Sequence, residues 1–148
     1  RAALRKTSLS GSLFVSRGDD SGTHKKEASL WKQAGTNPSG EWYLKAGSGM
    51  GETLLLANEK GAYTLSDRGT YLAFRDKIKL DILIQNDPPL LNPYGIIAVN
   101  PELHKNVDYA EAMKFIDFIT SAEAQKIIAE FGKDKYGEPL LFPDDVKQ

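Results

Sequence analysis

Phe14-Val15-Ser16-Arg17-Gly18-Asp19-Asp20-Ser21-Gly22-Thr23-His24-Lys25-Lys26-Glu27 decides how the rest of this chain is read. The β-prone run Leu13, Phe14 and Val15 stops at an arginine and a flexible polar turn, and a helix is predicted to follow at once. Strand, Ser-Gly-Thr turn and helix start together make an arrangement suited to small oxyanions. The first turn of a helix has unpaired N–H groups at the positive end of the macrodipole. Ser21 and Thr23 add hydroxyl donors, and Gly22 lets the backbone approach closely. Arg17 supplies a charged fork that grips two oxygens at once, and Asp19 is placed to pair with it and fix its direction.

Outward from this stretch, strand and helix patterns alternate. Ala2, Ala3 and Leu4 read as the end of a helix, and Leu13 to Ser16 as a buried strand. A helix is predicted from His24 to Ala34, closed by Gly35, with Ala28, Trp31 and Ala34 near one face. Thr36-Asn37-Pro38-Ser39-Gly40 is a loop by its turn chemistry, and Trp42-Tyr43-Leu44 is a short aromatic segment. Gly47-Ser48-Gly49-Met50-Gly51 leads into a helix expected over Glu52 to Lys60 and ended by Gly61. Tyr63 to Leu65 reads as a strand, and Ser66 with Asp67 starts a short helix through Phe74.

Two further strands are expected, Leu80 to Ile84 and the fully apolar Gly95 to Val99, with Asp87-Pro88-Pro89 breaking the first. Asp108 with Glu111 caps a helix through Ile119. Thr120-Ser121-Ala122-Glu123 reads as a capping box for a second helix ending at Phe131-Gly132. Phe115, Ile116, Phe118, Ile119, Ile127, Ile128 and Phe131 are core candidates at helical spacing, and Gly137 to Pro143 is expected to be extended. Such alternation implies an α/β domain with a mostly parallel or mixed sheet, whose ligands sit at the carboxyl ends of strands beside helix starts. Both glycine-rich turns fall at such positions.

The chain of 148 residues is long enough for a domain with a real core. Its net charge of -1 argues against nucleic acid as a partner. The charge is uneven: residues 1–50 carry eight Lys and Arg against four Asp and Glu, whereas residues 101–148 carry six against ten. The basic part coincides with the proposed anion site. There is no cysteine, which excludes thiol redox chemistry and thiolate metal sites. No run approaches the length of a membrane span. The chain opens at Arg1 and its methionines are Met50 and Met113, so an upstream segment, with any export signal, is expected.

Other chemistries fit less well. Aligned on Gly51 and Thr53, the second glycine turn has Ala46 and Glu52 where a P-loop needs glycine and lysine, and Glu52 would repel a triphosphate. Gly51 is better placed to offer its N–H to the same small anion, or simply to form a flexible turn. His24 beside Asp19 and Asp20 lacks further spaced metal ligands. Ser21, His24 and Asp19 lie too close together for easy triad geometry, and no Gly-x-Ser-x-Gly elbow exists. Tyr94, between Pro93 and Gly95, either donates its hydroxyl to a ligand or packs.

The segment from Phe14 to Glu27 resembles the signature of the periplasmic tungstate-binding proteins of ABC importers. The resemblance continues through Trp42-Tyr43, Gly49-Met50-Gly51, Glu59 to Tyr71 and Leu91-Asn92-Pro93-Tyr94-Gly95, in the family's order. Phosphate-binding proteins of the same superfamily carry Arg-x-x-x-Ser-Gly-Thr, which Arg17, Ser21, Gly22 and Thr23 match.

The resemblance implies a type II periplasmic-binding α/β fold. Residues 1–11 would end a truncated preceding segment, 12–95 form one complete ligand-binding lobe, and 96–148 provide a crossover strand and C-terminal helices that return to the other lobe. It implies a solute-binding protein that captures a tetrahedral oxyanion, tungstate or molybdate, without catalysis or cofactor. It also implies delivery to a membrane permease, in a periplasmic or membrane-tethered extracellular setting. Arg17, Ser21, Gly22 and Thr23 would hold the anion, with Gly51 and Tyr94 as weaker candidates. Family members are longer at the N-terminus, where a Thr/Ser-rich loop supplies ligands from the other lobe. This chain would therefore hold half of a site, and its C-terminal helices would expose an apolar patch that favours association. The rival reading is the effector-sensing domain of a transcription regulator with the same fold.

Overall fold

The computed structural model describes residues 1–143. The chain divides into two compact units, Arg1–Leu91 and Asn92–Gln148. The last five residues of the expected 96–148 segment lie outside the described residues.

The first unit is built on three parallel strands in the order β2-β1-β3. They are β1 (Phe14–Ser16), β2 (Tyr43–Lys45) and β3 (Tyr63–Thr64). Phe14 stands opposite both Tyr43 and Tyr63, and Val15 opposite Leu44 and Thr64. All three residues of the central strand are buried, as expected of a parallel strand covered on both faces. Successive side chains point to opposite faces. Phe14 accordingly meets Trp31 of α2 (Gly22–Gln33), and Val15 meets Ala57 of α3 (Met50–Lys60).

The α3 side is aliphatic: Val15, Ala57 and Ala62 form one cluster, and Met50, Leu54 and Ile78 form another. The α2 side is aromatic. Trp31 packs edge-on to Phe14, Trp42 and Tyr43 with ring centroids 5.1, 5.8 and 6.2 Å apart. Helix α1 (Ala2–Ser10) precedes the sheet, extending well beyond the three residues read from sequence. Helix α4 (Arg68–Phe74) is capped by Asp67, which accepts the Thr70 N–H at 2.8 Å. Helix α2 begins two residues earlier than expected, so Gly22 and Thr23 belong to its first turn.

The second unit carries α5 (Tyr109–Ile119), α6 (Ala122–Glu130) and the four-residue α7 (Lys133–Tyr136). Asp108 caps α5 through the Glu111 N–H, as the sequence indicates. The expected Thr120–Glu123 capping box does not form. Ser121 is the N-cap of α6, and the Thr120 hydroxyl instead donates to the Ile116 carbonyl at the end of α5. One turn of helix, α7, stands immediately before the stretch expected to be extended. Ala124 is the one buried apolar residue of this unit among the described residues. Phe115, Phe118, Ile127 and Phe131, expected in a core, are largely exposed.

Two expected strands are absent. Leu80–Ile84 and Gly95–Val99 form no ladder, because no described strand lies beside either one to pair with it. Leu80 still packs under the α3 cluster and its carbonyl accepts the Tyr71 hydroxyl at 3.0 Å. Ile82, Leu83 and Ile84 are exposed, as are Ile96, Ile97 and Val99. An apolar β-prone run gains strand geometry only from neighbouring backbone, and these runs have none within the described chain.

Candidate oxyanion site

The β1 strand delivers Arg17 to the carboxyl edge of the sheet. Its backbone carbonyl accepts the Gly47 N–H at 2.9 Å, which brings the two glycine-rich turns side by side. Gly18 follows at φ +66, and a Cβ there would stand 3.0 Å from Cβ of Lys45, so this close passage over β2 requires glycine. Asp20 also adopts a left-handed conformation, φ 61, which aspartate tolerates better than most residues. Its N–H donates to Nδ1 of His24 at 2.9 Å, and the Ser21 N–H donates to Oδ1 of Asp19 at 3.1 Å. The turn is thus folded by its own side chains.

Arg17 and Asp19 form the expected pair, with Nε 2.8 Å from Oδ2 and both side chains about one-quarter exposed, at 24% and 23%. The Nε–H is not aimed at the carboxylate as a hydrogen bond, so the contact is an ion pair that orients the guanidinium. Its terminal nitrogens have no hydrogen bond to another described residue and are available to a ligand. The Asp19 carboxyl is held below its usual range: the Ser21 hydroxyl lowers it most, burial opposes that, and the Ser21 amide and then Arg17 lower it further. Asp19 therefore stays charged and keeps Arg17 oriented through any ordinary working pH.

Ser21 is the N-cap of α2 and its hydroxyl oxygen accepts the His24 N–H at 3.4 Å. Gly22 and Thr23 leave first-turn N–H groups without helical partners, and open space lies where a Gly22 side chain would stand. The triad constellation does not form: Nδ1 of His24 is taken by Asp20, and Asp19 is engaged by Arg17 and Ser21. Among the described residues no group of three His, Asp or Glu is gathered around a metal-sized space.

Gly51 is at α3, but its lack of a side chain has a packing cause. A Cβ there would lie 2.5 Å from Cζ of Phe74. The α3 start is also faced by its own Glu52, whose Oε2 lies 2.6 Å from where a Gly49 Cβ would be. A carboxylate in that place already answers the helix dipole and repels a second anion. Tyr94 belongs to the second unit, where it is 77% exposed.

Sequence reading missed a buried cluster beneath this turn. Glu27, 2% exposed, accepts hydrogen bonds from the Ser16 hydroxyl, the Trp31 indole N–H and the Tyr43 hydroxyl. The signal was an acidic residue four positions before a tryptophan on the apolar face of a helix. Burial first, and then Glu27, push the Tyr43 phenol up to about 12. The neutral phenol favours the fold, so its contribution is complete below its ordinary pKa of 10.0 and is lost as pH rises to about 12. Unfolding midpoints followed from pH 9 to about 12 should show an alkaline loss of stability that is smaller in Tyr43→Phe. Equal losses in the two proteins would contradict this assignment.

A family model described as a PBP superfamily domain matches residues 7–123. The chain belongs to the PBP superfamily. It is 48% identical over 145 residues to the tungstate-binding protein TupA of Peptoclostridium acidaminophilum, covering 98% of this chain and 51% of that protein. The crystal structure of the tungstate ABC transporter from Geobacter sulfurreducens is 52% identical, with a TM-score of 0.74 over 87% of this chain and 55% of that one. The tungstate-binding protein TupA from Desulfovibrio alaskensis G20 is 38% identical, with a TM-score of 0.78 over 97% of this chain and 59% of that one. The chain thus spans about half the length of these PBP-superfamily relatives. The α/β fold read from sequence is a PBP-like fold.

Proposed function

We propose that this chain supplies one half of a tetrahedral-oxyanion site in the solute-binding component of an ABC importer, with tungstate as the solute and molybdate as its nearest competitor. The observation that carries this reading is an Arg17 braced by Asp19, on the turn that leads directly into the unpaired first-turn amides of α2. Relatives bearing tungstate in their names support the choice of anion. The arrangement binds and does not transform: it has positive charge and N–H donors but no nucleophile held by a base. Residues 12–95 act as one lobe, and a second lobe closes over the anion and excludes water, which strengthens each hydrogen bond. The loaded protein then meets a membrane permease outside the cytoplasm.

Isothermal titration of the full-length protein and of this chain with tungstate, molybdate, sulfate and phosphate tests the reading. The full-length protein should bind tungstate most tightly and this chain bind it weakly. Absence of oxyanion binding by both would remove the importer role and leave only the fold.

A further inference from the structure

Among the described residues Glu27 is the one charged side chain that is buried. Its Oε2 accepts the Ser16 hydroxyl at 2.8 Å, and its Oε1 accepts the Trp31 indole N–H at 3.0 Å and the Tyr43 hydroxyl at 2.6 Å. All three donors are neutral. Burying a carboxylate without a cation is costly, and an apolar side chain would fill this place more cheaply if packing were its sole purpose.

The three donors come from the elements that carry the anion cradle. Ser16 ends β1 and immediately precedes Arg17. Glu27 and Trp31 lie on α2, the helix whose first turn offers Gly22 and Thr23. Tyr43 opens β2, whose last residue, Lys45, lies against Gly18. A shift of α2 along β1 would change the span between the Arg17 guanidinium and the α2 amides, and the Glu27 bonds resist that shift. Tungstate and sulfate share charge and shape but differ in size, so this span bears directly on selection.

We propose that Glu27 is a positioning residue for the oxyanion cradle: its three buried hydrogen bonds lock β1, α2 and β2 together and set the distance between Arg17 and the Gly22 and Thr23 amides. This inference rests on the oxyanion reading given above. Substitution separates geometry from charge. In Glu27→Gln, Oε1 keeps the Trp31 and Tyr43 bonds, and the new amide donates to Ser16, whose hydroxyl proton turns away. Glu27→Leu has similar bulk and makes none of the three bonds.

The test uses the full-length protein. Tungstate and sulfate affinities are measured by titration for wild type, Glu27→Gln, Glu27→Leu and Tyr43→Phe, each at a temperature where ligand-free unfolding curves show it folded. Glu27→Leu should lose about tenfold or more in tungstate affinity, the effect of a small misplacement of binding groups, and its tungstate-over-sulfate preference should fall. Glu27→Gln should recover most of both. Tyr43→Phe, which loses a single bond and keeps the ring, should fall between them, and it decides the matter if Glu27→Leu does not fold. Destabilisation alone cannot alter the anion preference of the folded fraction, so an unchanged preference in folded Glu27→Leu, or in Tyr43→Phe where that variant decides, overturns the proposal. A wild-type protein that binds no oxyanion fails the earlier reading instead, and this one with it.

Discussion

Arg17→Ala should weaken tungstate binding by about 2 kcal/mol or more, roughly thirtyfold, because hydrogen bonds to charged groups are worth about 1.5–3 kcal/mol each. Arg17 is outside the buried clusters, its side chain is ion-paired with Asp19, and its terminal nitrogens are not hydrogen-bonded within the described chain. Removing it therefore leaves the β1 strand and its turn intact while taking away the cation that Asp19 orients. Asp19 then faces the incoming dianion without compensation, which adds to the loss. Arg17→Lys should give an intermediate result, because an ammonium keeps the charge but cannot reproduce the two-pronged grip. Titration of the full-length variants with tungstate measures both effects. Unchanged affinity in Arg17→Ala would take Arg17 out of the site.

Trp31→Ala should produce the largest loss of stability, about 3–5 kcal/mol, the range for truncating a buried tryptophan. The indole is 1% exposed and meets Phe14, Trp42 and Tyr43 edge-on. Its N–H is also one of three donors to Glu27, so the variant combines a cavity with a weakened buried carboxylate. Net stabilities of whole domains are about 5–15 kcal/mol, so a loss of this size threatens the folded state. Urea unfolding with a fixed slope measures it. A midpoint shift equivalent to less than about 1 kcal/mol would mean that the aromatic layer is not the main support of α2.

Much of this architecture is legible in particular residues. The apolar run ending at Ser16 specifies a buried central strand, because a parallel strand covered on both faces has no polar side to show. The caps Asp67 and Asp108 are visible because their carboxylates serve amides only three residues on. Leu80–Ile84 and Gly95–Val99 were misread for the complementary reason. Their composition is right for strands, but pairing is a property of neighbours that this stretch of chain does not hold. The same applies to Phe115 and Phe118, whose helical spacing marks an apolar face without showing what covers it.

Sequence alone determined the α/β class and the strand, turn and helix start that carry Arg17, Ser21, Gly22 and Thr23, because those features rest on local patterns: alternation, turn chemistry and helix starts. Only the tertiary structure decided the rest. It put Gly51 under the Phe74 ring, turned Glu52 onto the start of α3, and buried Glu27 among donors from β1, α2 and β2. Those outcomes depend on which distant groups come within about 3 Å of each other, the reach of a hydrogen bond or a steric contact, and no local spacing encodes that.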